Sequence, residues 1–96
     1  METVKYLQLD FGQALYHLKA GKRVTREGWN GKDMFIVLAY QIYGNAKNAK
    51  IKFNKEYAGI DNYLENFIVM KTVDNKLVPW LASQTDILAE DWMLVE

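Results

Sequence analysis

The clearest helical period in this chain lies in DFGQALYHLKAG, Asp10 to Gly21, where Phe11, Ala14, Leu15 and Leu18 recur at the spacing that lines one helical face. Both ends are marked. Asp10 can accept from the first turn while Gln13, three residues on, reaches back to it, the reciprocal pairing of a capping box. Lys19 near the end and Gly21 just past it suit a helix C-terminus. His17 falls off the apolar stripe and reads as a solvated or rim residue.

Beyond the helix the chain reads as short strands and turns. KRVTREGWNGKDMFIVLAY predicts a short polar strand, a reversal, and an apolar strand from about Met34 to Tyr40. Within GWNG, Asn30 and Gly31 tolerate positive φ, so the reversal holds Trp29 at its rim. FIVMKTVDNKLVPW predicts a second hairpin turning at Asp74 and Asn75. Pro79 cannot donate to a ladder, which places the second strand at an edge or ends it there. The stretch PWLASQTDILAEDWMLVE then predicts a loop or one short helical turn over Gln84 to Ala89, capped by Ser83 or Thr85, and a last strand DWMLV. Between the hairpins, residues 41–66 are rich in Asn, Lys and Gly, with aromatics at no sustained period. Such a stretch is a long loop or insertion, although NAKIKFN can form one edge strand with lysines protecting its exposed side. The expectation is an α+β fold: an N-terminal helix packed on a mainly antiparallel β-sheet, in a single small domain over residues 1–96.

A domain of this length buries only about 60–65% of the surface its unfolded chain exposes. With 14% of the residues aromatic, some aromatics are expected at an interface, and the chain is expected to oligomerise. Lys plus Arg and Asp plus Glu both number 12, so the net charge is zero. Proteins that track a nucleic-acid backbone by counterion release carry a basic excess, so long nucleic acid is not an expected partner. A small anionic ligand, held by a few placed donors, is compatible with neutrality. The absence of cysteine removes disulfides, thiolate nucleophiles and thiolate metal sites, and a single histidine cannot form a histidine cluster. No metal or other cofactor is expected. No apolar run approaches the roughly 20 residues that span a bilayer, and METVKYLQLDF lacks a signal peptide's long apolar segment. The expected compartment is the cytoplasm, with no membrane partner.

Asp86, Glu90 and Asp91 cluster in sequence, and grouped acids can do acid–base work or hold Mg²⁺. No nucleophile with its base, Gly-rich phosphate loop or HExxH spacing accompanies them, so a helix N-terminus and a solvated face is the simpler reading. Tryptophans suggest a binding site instead. Trp29 beside a glycine turn and Trp80 beside a proline are rigid flat surfaces on which a nucleobase stacks, at about 1–3 kcal/mol per base. Core packing competes, because burying an indole is worth about 4–6 kcal/mol, and Trp92, inside the last strand, reads as core. Ser83, Gln84, Thr85 and Asp86 offer donors and acceptors for ribose hydroxyls and a base edge, or cap their own helix.

DFGQALYHLKAGKRVTREGWNGKDMFI, succeeded after a spacer by FIVMKTVDNKLVPWLASQTDILAEDW, resembles the family of small phage and bacterial proteins that includes the Thoeris anti-defence proteins of the second type. The resemblance covers the N-terminal and C-terminal thirds and leaves residues 41–66 outside. Asp33, and Asn75 in its turn, stand where glycine is more familiar in that family. The resemblance implies a phage anti-defence sponge that binds a cyclic nucleotide immune signal in the host bacterial cytoplasm and keeps it from its effector without degrading it. The implied ligand is a cyclic ADP-ribose isomer of the glycocyclic class, some similar proteins also take a cyclic dinucleotide at a separate site, and the implied assembly is a homotetramer with ligand between protomers. In that setting Trp29 would meet the adenine. Asn30 and Gly31 would meet polar ligand atoms, Lys32 or Arg26 the phosphates, and Gln84, Thr85 and Asp86 the ribose hydroxyls or a base edge, with Trp80 and Ser83 completing the set. Two other classes stand beside this one: a nucleotide-hydrolysing enzyme using Asp86, Glu90 and Asp91, and a protein–protein inhibitor of an immune effector.

Overall fold

The capping box closes both ways. Gln13 N–H donates to Asp10 Oδ1 at 2.7 Å and Asp10 N–H donates to Gln13 Oε1 at 2.9 Å, and helix α1 runs Phe11–Lys19. At its other end Gly21 N–H donates to Leu18 O and Lys22 N–H to His17 O, each at 2.9 Å, with Gly21 at φ +87°. This paired closure needs a left-handed residue just past the helix, the conformation glycine adopts at least cost. The structure is a computed structural model that describes residues 4–29, 33–42 and 65–95.

Among the described residues the sheet has six antiparallel strands: β1 (Val4–Leu9), β2 (Arg23–Arg26), β3 (Phe35–Leu38), β4 (Ile68–Lys71), β5 (Leu77–Pro79) and β6 (Trp92–Val95). Their order across the sheet is β1-β6-β2-β3-β4-β5. Helix α2 (Ala39–Ile42) follows β3, and α3 (Gln84–Leu88) precedes β6. Both expected hairpins form, β2 with β3 and β4 with β5, and Pro79 lies on the outermost strand, where its missing donor leaves no gap in the ladder. The second hairpin turns with Asn75 at φ +62°, and Asp33, ahead of β3, sits at φ +64°. Asp and Asn are among the non-glycine residues that tolerate this left-handed region.

Three features differ from the sequence reading. Strand β1 has no clear sequence signal: VKYLQL does not alternate cleanly between apolar and polar, and its ladder with β6 shifts register between Lys5 and Leu9. The strand expected to reach Tyr40 stops at Leu38, where a short helix over Ala39–Ile42 begins; Ala39 N–H still donates to Phe67 O at 2.8 Å, directly across the β3–β4 register, but Tyr40 N–H goes to the Asn66 side chain, Oδ1, at 3.2 Å. Strand β6, expected simply as a last strand, lies between β1 and β2, and all four of its residues are buried rather than alternating. A strand covered on both faces reads as a continuous apolar run, as WMLV does. The edge strand considered for NAKIKFN lies outside the described residues, as do Asn30, Gly31 and Lys32.

Residues directly opposite one another in a ladder share a face, so the register places Leu94, Val24, Ile36 and Met70 in one row across β6, β2, β3 and β4. Helix α1 covers this face with Ala14 and Leu18. Ala14, Leu18, Val24, Ile36 and Trp92 have no exposed surface, and Phe11, Leu15, Trp29 and Trp80 pack around them. The stripe read from the sequence is therefore the helix's core face.

Candidate functional site

At one end of that core the indoles of Trp29, Trp80 and Trp92 meet. Trp92 is fully enclosed, while Trp29 and Trp80 are half-buried. The ring centroids of Trp29 and Trp80 stand 5.4 and 6.1 Å from that of Trp92, both edge-to-face, and 6.3 Å from each other at 65°. Phe11, from the first turn of α1, closes the group at 5.6 Å from Trp92 and 6.4 Å from Trp80. These are the tilted and T-shaped arrangements favoured by ring quadrupoles, each adding about 0.5–1.5 kcal/mol beyond the area buried. Trp92 is thus the hub that orients two rings whose other surfaces remain partly open.

Beneath the aromatics is an ionic cluster built from the end of β2 and the segment around α3. Ser83 caps α3: its Oγ accepts Asp86 N–H at 3.1 Å, while Asp86 Oδ2 accepts Ser83 N–H at 3.1 Å and the Ser83 hydroxyl at 2.8 Å. The other oxygen of Asp86, Oδ1, accepts Arg26 Nη1 at 2.9 Å. Arg26 Nε donates to Asp91 Oδ1 at 2.8 Å, and Asp91 Oδ2 accepts Gly28 N–H at 2.9 Å. The indole N–H of Trp92 donates to Asp86 O at 3.0 Å, which ties the aromatic hub to the ionic cluster.

Burial by itself would raise the Asp86 pKa. It is outweighed by the Ser83 N–H and hydroxyl, by Arg26 and by the Trp29 indole, and the carboxyl is held below its ordinary value. Asp91 is held low chiefly by the Arg26 hydrogen bond, against burial and with help from Gly28 N–H. Arg26 is shifted the other way, upward, first by Asp91 and then, after burial has opposed it, by Asp86. At neutral pH the cluster is one cation between two anions, with the Arg26 side chain only 14% exposed.

The structure therefore brings together Arg26, Trp29, Trp80, Ser83 and Asp86 from the sequence-derived set, with Gln84 and Thr85 exposed on the adjacent first turn of α3. Of the acidic trio, Asp86 and Asp91 turn onto Arg26 and Glu90 faces solvent. Among the described residues no group of three or more His, Asp or Glu is placed to hold a metal ion. Phe11, Gly28 and the joint role of Asp91 carry no such signal in the sequence. Arg26 and Asp91 are 65 positions apart, and no local pattern announces such a pair.

A profile of the Tad2-like family, the Thoeris anti-defense 2-like domain, matches residues 9–95. The chain belongs to the Tad2-like family. It is also 41% identical over 93 residues to Thoeris anti-defense 2 of Bacillus phage SP01, an alignment that takes in 92% of this chain and 96% of that protein. The Tad2-like span includes every element that supplies the aromatic and ionic clusters, and it also takes in residues 41–66, which the sequence resemblance leaves outside.

Proposed function

We propose that this protein is a phage anti-defence protein that works in the host bacterial cytoplasm by binding and sequestering a cyclic nucleotide immune signal, of the glycocyclic ADP-ribose class, without degrading it. The observation that carries the reading is the pair of half-open indoles, Trp29 and Trp80, oriented by the buried Trp92 beside the exposed polar residues Gln84 and Thr85. Flat rigid rings held in advance bind a base at little conformational cost. Trp29 stacks on the adenine, Trp80 borders it, and Gln84, Thr85 and the rim of Ser83 meet ribose hydroxyls. Asn30, Gly31 and Lys32, next to Trp29 in the chain, meet the remaining polar atoms and a phosphate. Arg26 and Asp86 hold the floor of the site, since their charged groups are turned onto one another.

Family membership and the name of the phage relative support the anti-defence role. Leu81, 92% exposed, and the exposed Ile87 and Leu88 lie beside the site and suit coverage by another protomer of a homotetramer. Sequestration works by mass action: the dissociation constant must lie below the signal concentration that triggers the effector, and the protein must be abundant. A hydrolytic reading would use Asp86, Glu90 and Asp91, and the engagement of two of these with Arg26 weighs against it.

The test is mass spectrometry of small molecules released by heating protein purified from signal-producing cells, alongside light scattering for the assembly. Release of an intact cyclic ADP-ribose isomer is expected. A linearised product would overturn sequestration, and a chain that carries no nucleotide would favour direct inhibition of an effector protein.

A further inference from the structure

Asp91 attaches a run of three residues to the start of β6. Its Oδ1 accepts Arg26 Nε at 2.8 Å, its backbone carbonyl accepts Glu27 N–H at 3.1 Å, and its Oδ2 accepts Gly28 N–H at 2.9 Å. Trp29 comes next, with its own N–H donated to Arg26 O at 3.2 Å. The approach is close: a Cβ on Gly28 would stand 3.0 Å from Asp91 Oδ2 and 3.4 Å from Arg26 Nη2, so those side chains would have to give way by a few tenths of an ångström. The Trp29 indole also hydrogen-bonds the Asp86 side chain; the bonds to Asp91 add a directional constraint on the backbone from which the ring projects, which ring contacts between indoles, tolerant of a range of tilts, do not supply.

We infer that Asp91 is a positioning residue for ligand binding: through Arg26, Glu27 and Gly28 it sets the orientation in which Trp29 meets a nucleobase. The inference rests on the stacking role proposed above for Trp29. Its chemistry lends itself to a near-isosteric test. Both oxygens of Asp91 face donors, so in Asp91→Asn every orientation of the amide turns its NH₂ toward either Gly28 N–H or Arg26 Nε.

Calorimetry with glycocyclic ADP-ribose on the wild type, Asp91→Asn, Trp29→Ala and the double variant provides the first measurement. Asp91→Asn weakens binding at least about tenfold, and the double variant binds no more weakly than Trp29→Ala alone, the non-additivity expected when one residue acts through the other. The second measurement needs no ligand. Indoles at 5.4 and 6.3 Å couple as excitons, so the far-ultraviolet circular dichroism band that Trp29→Ala removes is diminished in Asp91→Asn at a temperature where that variant remains folded. Additive binding losses, or a Trp29 exciton contribution unchanged by Asp91→Asn, would overturn the inference. If the wild type binds no cyclic nucleotide, the proposed function fails, and the exciton comparison alone decides the positioning role. Should Asp91→Asn not fold, Gly28→Ala takes its place, displacing the carboxylate with its charge intact and carrying the same expectations.

Discussion

Arg26→Ala would remove the cation between two carboxylates. The side chain of Asp86 is 12% exposed and that of Asp91 28%, so neither is freely hydrated once its partner is gone. Deleting one member of a buried pair costs about 3–5 kcal/mol, and water reaching Asp91 puts this case at the lower end, about 3 kcal/mol. For a domain of this length each kcal/mol moves the melting midpoint by about 4–8 °C, so the expected fall is about 12–24 °C. Urea titrations of both proteins, compared at equal slope, measure the difference directly. The pH dependence supplies a second check. Both carboxylates are held below their ordinary value of 3.8 in the folded protein, so their contribution is present above that value and is lost as pH falls through the lowered folded values. The gap between wild type and Arg26→Ala should therefore be widest near neutrality and narrow below about pH 4. A difference under about 1 kcal/mol at pH 7, or one insensitive to acid, would mean that the cluster behaves as an exposed surface pair and would refute the reasoning.

Asp86→Asn should also destabilise, by about 1–3 kcal/mol, because Oδ1 faces Arg26 and Oδ2 faces two Ser83 donors, leaving no place for an NH₂; thermal denaturation at pH 7 checks it, and an unchanged midpoint would show that Asp86 is only a helix cap. Asn75→Ile places a β-branched residue at φ +62° and should cost about 1–2 kcal/mol in urea titration, whereas Asn75→Gly should be near neutral or stabilising.

The parts of this fold that are legible in the sequence are those whose causes are local. Asp10 and Gln13 are three residues apart and bond to each other; Ser83 caps α3 by the same logic; Asn75 and Pro79 mark a turn and an edge strand through their own backbone preferences. Trp29 and Trp80 are recognisable as candidates because flat rings beside Gly and Pro are unusual, yet their meeting over Trp92 is a tertiary fact. Strand β1 stays hidden because its pairing depends on residues at the far end of the sequence. The role of Arg26 stays hidden for the same reason: its partners lie 60 and 65 positions away, and a basic residue read alone suggests phosphate as readily as carboxylate.

Strand β6 is the last of the six in chain order, yet it sits between β1 and β2. During synthesis the two hairpins can close as soon as they emerge, but β1 and the adjoining side of β2 have no partner until residues 92–95 leave the ribosome. Until then Val24 and Ile36 lack Leu94 and Trp92 beside them, and unpaired strand edges face the crowded cell. The closing step joins residues separated by most of the chain, so loop-closure entropy is borne before the core rewards it. The aromatic cluster, whose hub is the first residue of β6, thus comes into being only once that strand has joined the sheet.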